Sequence, residues 1–169
     1  KTFRAFPGKP RPLDSRLEFR SDDGARFGRR TYSFVSEKDW RLRVDVRWRN
    51  SEREKHPIVL VLRNPDEERW ASESFASALP ATYNVAYFEA RGIGDTGWAP
   101  NLQWHVRRAS AWIGRTVASM RVYDVLRCIE FLKTMPGVDA QQIVIAAQDE
   151  MTVIALYAAL LNGDLSALV

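Results

Sequence analysis

The sequence predicts an α/β domain: a mostly parallel sheet with helices on both faces and an antiparallel edge at its N-terminal side. Three observations predict it. From Trp40 to Arg49 apolar residues alternate with charged ones, the period-2 signature of a strand with one wet face. Continuous apolar runs at 57–62, 85–88 and 143–147 have the character of strands covered on both faces. Helical stretches separate these runs, so the order reads βαβαβα, which calls for crossover connections and parallel strands.

Each element has a local reason. Residues 1–14 hold Pro7, Gly8, Pro10 and Pro12, which favour an extended arm that wraps a surface ahead of a domain at 15–169. Strands are predicted at 16–20, 31–36 and 40–49, with a turn at 22–24. A first helix is predicted at 67–79, ended by Pro80. A second is predicted at 117–133, where Val122, Val125, Leu126, Ile129 and Leu132 recur at helical spacing. Its charged residues Arg121, Asp124, Arg127 and Glu130 are placed on the wet side, and Pro136 with Gly137 stops it. The helix predicted at 151–161 is apolar all round (Val153, Ile154, Leu156, Tyr157, Leu160), so it should be buried against the sheet centre.

The 169 residues are 46% apolar and 27% charged, with nine Gly and eight Pro, which excludes collagen-like, low-complexity and wholly disordered chains. One domain is the default at this length. The single cysteine, Cys128, excludes an intramolecular disulfide framework and a cysteine-based zinc cluster. No apolar run is long enough for a membrane span. The first 50 residues carry 14 Lys and Arg against 7 Asp and Glu, yet the whole chain is only +4. Much of that N-terminal excess sits on the outward side of an alternating strand, so no nucleic-acid partner is predicted. The chain starts at Lys1 and stops in the apolar run 165–169, so both ends look cut and the domain is read as partial, truncated at its C-terminus. A parallel sheet ending there would expose an apolar edge for the remaining part of the domain, or another chain, to cover. The compartment is open; a processed secreted or periplasmic protein fits such a start.

Several motifs bear on chemistry. Gly92, Gly94 and Gly97 match a dinucleotide-binding glycine pattern after a strand, but Pro100 should keep the required helix from forming and no acidic residue follows at the needed distance. No cofactor is predicted. His56 and His105 lack ligands at metal-binding spacing, so no metal is predicted either. Trp98, Trp104 and Trp112 are read as packing residues in preference to a ligand pocket. The informative constellation is the strand, sharp turn and helix at 143–161. A nucleophile elbow has this form, with small residues two before and two after the nucleophile and the next backbone N–H helping to bind an oxyanion. Here the five positions are Ala147, Gln148, Asp149, Glu150 and Met151, without a serine.

The run Arg121-Val-Tyr-Asp-Val-Leu-Arg-Cys-Ile-Glu-Phe-Leu-Lys133, Pro136 to Asp139, and Ile143-Val-Ile145 before a turn and an alanine-rich helix together resemble α/β-hydrolases of the acetyl xylan esterase and cephalosporin deacetylase type. The string Glu89-Ala-Arg-Gly-Ile-Gly-Asp-Thr-Gly97 resembles their Asp-x-Arg-Gly-x-Gly loop, and 111–115 leading to Met120 and Arg121 fits the same group. The resemblance covers about 57–161 and implies the α/β-hydrolase fold, with a carbohydrate ester as ligand. It puts Asp149 at the nucleophile position, Glu150 as the residue whose N–H faces an oxyanion, and the second oxyanion loop at 63–66. There Pro65 has no N–H, leaving Asn64 or Asp66 as donor. In this family the triad acid and histidine follow the nucleophile, yet no histidine follows Asp149. The implied function is a catalytically degenerate member of the fold. Two alternatives stay open: an active acetyl xylan esterase-like hydrolase, and an Asp-nucleophile hydrolase completed by residues outside this chain. Met151 should relax or displace the turn, because a glycine normally stands there.

Overall fold

Alternation of side chains builds the first half of the sheet. The computed structural model of the chain describes residues 6–7, 9–22, 28–38, 40–51, 53–65, 67 and 78–169. β1 (Arg16–Asp22), β2 (Gly28–Glu37) and β3 (Trp40–Trp48) form an antiparallel meander. On β3 the residues Leu42, Val44, Val46 and Trp48 enter the core, and the arginines and Asp45 between them keep contact with water. β4 (His56–Leu62), β5 (Asn84–Phe88) and β6 (Val138–Ala147) are parallel, and all of β5 is buried. β7 (Ala167–Leu168) adds a short parallel strand on β6. The order in the seven-stranded mixed sheet is β1-β2-β3-β5-β4-β6-β7. The run at 165–169 thus covers part of β6's outer edge, where the sequence left a bare edge.

Three helices are described: α1 (Pro100–Trp112), α2 (Val117–Lys133) and α3 (Glu150–Asn162). The predicted turn after Asp22, and the predicted helix at 67–79 apart from its ends, lie outside the described residues. α2 starts where it does because Thr116 and Ser119 form a capping box, each side chain accepting the other's backbone N–H at 3.0 Å. With α3 it packs on the face carrying Phe34, Leu60, Phe88 and Ile145. Phe34 stacks on Phe88 and Phe131 at centroid distances of 5.9 and 5.5 Å. The opposite face presents Val59, Val61, Val85, Tyr87, Val144 and Ala146, with Leu79 and Tyr83 against it. Among the described residues no helix is long and apolar enough to cross a membrane.

Three sequence expectations fail here, each for a physical reason. Pro100 opens α1 instead of preventing it: at the first helical position its missing N–H is not needed and its fixed φ is already helical. Arg121, Asp124 and Arg127 are buried, not wet, because other elements bring them partners. Among the described residues α3 is covered on one side only. Met151, Ile154, Ala155 and Ala158 face the core, whereas Val153, Leu156, Tyr157 and Leu160 are exposed.

The arm is tied down along its described part. The Leu13 carbonyl accepts the Val35 N–H at 2.6 Å, the Arg11 carbonyl accepts Arg127 Nη2 at 2.5 Å, and the Phe6 ring lies 5.3 Å from Tyr123.

Candidate functional site

Because β4, β5 and β6 are parallel and in register at Leu62, Phe88 and Ala147, the turns that follow them leave from one edge of the sheet. In open α/β sheets that edge is where ligands bind. Asn64 follows β4, Glu89 to Gly97 follow β5, and Gln148 with Asp149 follow β6.

Asp149 sits in the bend between β6 and α3 with φ 49° and ψ −129°. Among the described residues only Asp14 shares a positive φ without being glycine. A residue held there costs about 1–3 kcal/mol, so something else in the fold must stabilise it. The two aspartates differ in what they recover. Asp14 Oδ2 takes Arg16 Nη2 at 2.9 Å and also pairs with Arg41. Asp149 caps nothing and makes no side-chain hydrogen bond or ion pair among the described residues. The bend is closed by backbone alone, with Met151 N–H donating to the Gln148 carbonyl and Thr152 N–H to the Asp149 carbonyl, each at 3.1 Å. The carboxylate is exposed at a helix start, where the partial positive charge of free N–H groups favours an anion.

The turn keeps Asp149 at positive φ with Met151 in place: the Met151 side chain is fully buried in the main core, on the face it shares with Ala155 and Ala158. Glu150 is exposed and fastened by Arg121, whose Nη1 donates to Glu150 Oε1 at 2.7 Å while its Nε donates to the Arg91 carbonyl at 3.2 Å. The Glu150 N–H is one of the first N–H groups of α3 and lacks an intrahelical acceptor. The Asn64 N–H is already used, donating to Glu67 Oε2 at 2.9 Å, and Asn64 Oδ1 is buried without a partner among the described residues. Asp66 lies outside them. The topology therefore brings Asp149, Glu150 and Asn64 to one edge, while His56 opens β4 at the other end of the strand. His105 lies inside α1 against the Trp104 ring. Among the described residues no group of three metal-binding side chains assembles.

The loop after β5 folds on its own side chains. Gly92 has φ 73° and the Trp98 ring fills the space a Cβ would take; Glu89 crowds Gly94 in the same way. Beside it a cleft of about 300 Å³ opens between Ser33, Arg41, Arg43, Glu89, Ile93 and Asp95, and Asp149 does not line it. Its charges are cross-paired, with Arg43 to Asp95 and Arg63 to Glu89 both at 3.0 Å.

Sequence reasoning missed what fixes this loop. Arg91 is buried and donates Nε and Nη2 to Asp124 at 2.7 and 2.5 Å, and its N–H reaches the same carboxylate at 3.1 Å. Ser36 Oγ adds a bond to Asp124 at 2.5 Å. Arg91 Nη1 meets Glu37 at 2.5 Å, and Arg115 Nη1 meets it at 2.7 Å. Burial pushes the Glu37 carboxyl up, but the Arg115 hydrogen bond and the Arg91 charge outweigh it and hold the group below its usual range. For Arg91, burial works against its charge and Asp124 with Glu37 prevail, so its proton is held more tightly than usual. Burial, with Asp124 nearby, pushes the Cys128 thiol well up. The available signal was an Arg-Gly loop after a strand together with charges repeating every three residues on a helix otherwise apolar.

Neither a protein-family model nor a curated protein matches the sequence. Solved structures do. A candidate acetyl xylan esterase from Bacteroides fragilis superposes with a TM-score of 0.81 at 11% identity, covering 99% of this chain and 49% of that one. The chain has the α/β-hydrolase fold. Acetyl xylan esterase 1 from Thermoanaerobacterium sp. gives a TM-score of 0.70 at 16% identity over 92% of this chain and 51% of that one. A glucuronoyl esterase from Solibacter usitatus gives 0.67 at 12% over 96% and 52%. The chain spans about half the length of these α/β-hydrolase-fold structures.

Proposed function

We propose that this α/β-hydrolase-fold chain belongs to a protein that binds a carbohydrate ester without cleaving it, Asp149 standing where an attacking serine would stand. The observation that carries this reading is Asp149 itself: a strained, exposed carboxylate, without a partner among the described residues, crowning the bend between β6 and α3. A carboxylate there opposes the negative charge that ester attack develops on the substrate oxygen. It is well suited to accept hydrogen bonds from sugar hydroxyls. The esterase neighbours, which include proteins named for acetyl xylan, fit a carbohydrate ligand. The exposed side of α3 is read as a surface that the remainder of the domain, or another chain, covers.

Titration of the full-length protein with acetylated xylo-oligosaccharides tests this by calorimetry. Saturable heat is expected, diminished in Asp149→Ala; no saturable binding would remove the reading. The retained strain favours one second reading, an Asp-nucleophile hydrolase in which the carboxylate displaces a leaving group from a saturated substrate carbon to form an Asp149 ester, and water, deprotonated by a base from outside this chain, then adds to the Asp149 carboxyl carbon and releases the alcohol. Incubation in heavy-oxygen water separates the two, since only that route writes the label into the Asp149 carboxylate over several turnovers.

A further inference from the structure

The outer side of α1 is not explained by the fold. Trp104, Arg108 and Trp112 stand four residues apart and so share one face of the helix. Trp104 is 59% and Trp112 79% exposed, against the usual tendency of tryptophan to hide most of its ring. The Arg108 guanidinium lies over both rings, 5.1 Å from the centroid of Trp104 and 5.5 Å from that of Trp112. Among the described residues Arg108 has no carboxylate partner, which sets it apart from Arg91, Arg115 and Arg121. α1 contains no acidic residue at all, and Arg107 adds a second cation.

We propose that this face is a docking surface for an acidic polysaccharide, a chain of pyranose rings bearing intermittent carboxylates. The chemistry matches in three respects. Flat tryptophan rings offer rigid apolar area at little entropic cost to the C–H faces of sugar rings. The two tryptophans are about 12 Å apart along the helix, from its rise per residue, a span that a short run of linked rings can bridge. A stacked guanidinium keeps its N–H edge free to grip a carboxylate through two hydrogen bonds. A nucleic acid is the poorer match: it carries a phosphate on every unit and needs a track of cations, whereas the nearby Arg91 and Arg115 are taken by Asp124 and Glu37. α1 follows β5 from the same sheet edge as the Asp149 bend, but the inference goes beyond the reading of that bend and does not depend on it.

Affinity electrophoresis of the full-length protein through gels holding glucuronic acid-bearing xylan, the same polymer after carboxyl reduction, or polyuridylate tests the proposal. The acidic xylan should retard the protein most. Trp112→Ala should weaken retardation at least about tenfold, and Arg108→Gln should abolish the preference for the acidic over the reduced polymer. Both side chains are outward, so unchanged thermal unfolding of each variant is expected and is to be measured alongside. Retardation unchanged in Trp112→Ala, tighter binding of polyuridylate, or a dimer that Trp112→Ala converts to monomer in light scattering would each overturn the proposal.

Discussion

Two turns leave the carboxyl edge of the sheet and are held in opposite ways. The turn after β5 is bolted by buried side chains, with Arg91 locked to Asp124 and Glu37 and the Trp98 ring seated on Gly92. The turn after β6 is held by backbone and by the packing of Met151 beneath it, and its central side chain, Asp149, makes no hydrogen bond or ion pair among the described residues. A turn that serves only the fold normally satisfies its polar groups. One that keeps a strained residue, with a carboxylate that has no partner among the described residues, fits the binding role proposed for Asp149.

Breaking the first turn should do the most damage. Asp124→Ala leaves Arg91 buried without its two-pronged partner, and a loss of about 3–5 kcal/mol is expected in urea unfolding. A loss below about 1 kcal/mol would mean the pair is not the bolt. Under the second turn, Met151→Ala should cost about 2–3 kcal/mol through the cavity it leaves. A near-neutral result would show that packing does not hold the bend. Asp149→Gly should move in the other direction. Glycine takes a positive φ freely, so relief of strain less the added freedom of the unfolded chain predicts a gain of about 1 kcal/mol.

The smallest effect concerns acid. The Glu37 carboxyl is held below its usual range by Arg115 and Arg91. It therefore contributes stability that is complete above the carboxylate's unfolded value and is lost as pH falls through the lower folded one. Stability of Glu37→Gln should consequently fall less steeply than the wild type across that acidic window, and parallel curves would exclude Glu37 from the bolt.

What the sequence revealed follows the same division. Period-2 alternation located β3 and period-3.6 recurrence located α2, because burial of one face dictates both patterns. The bend at Asp149 was legible from an apolar strand run directly into an alanine-rich helix. The bolt was not, because Arg121, Asp124 and Arg127 read as solvent-facing until Arg91, Glu37 and the Arg11 carbonyl are brought to them from distant parts of the chain. Nor was the one-sided burial of α3, since composition states how apolar a helix is and not how much of it finds a partner within the chain.

The most direct measurement is hydrolysis of p-nitrophenyl acetate by the full-length protein beside its Asp149→Ala variant. The account predicts the same rate for both, set by the background reaction. A wild-type rate about tenfold or more above the variant's would contradict it and make the Asp149 carboxylate a working part of an enzyme.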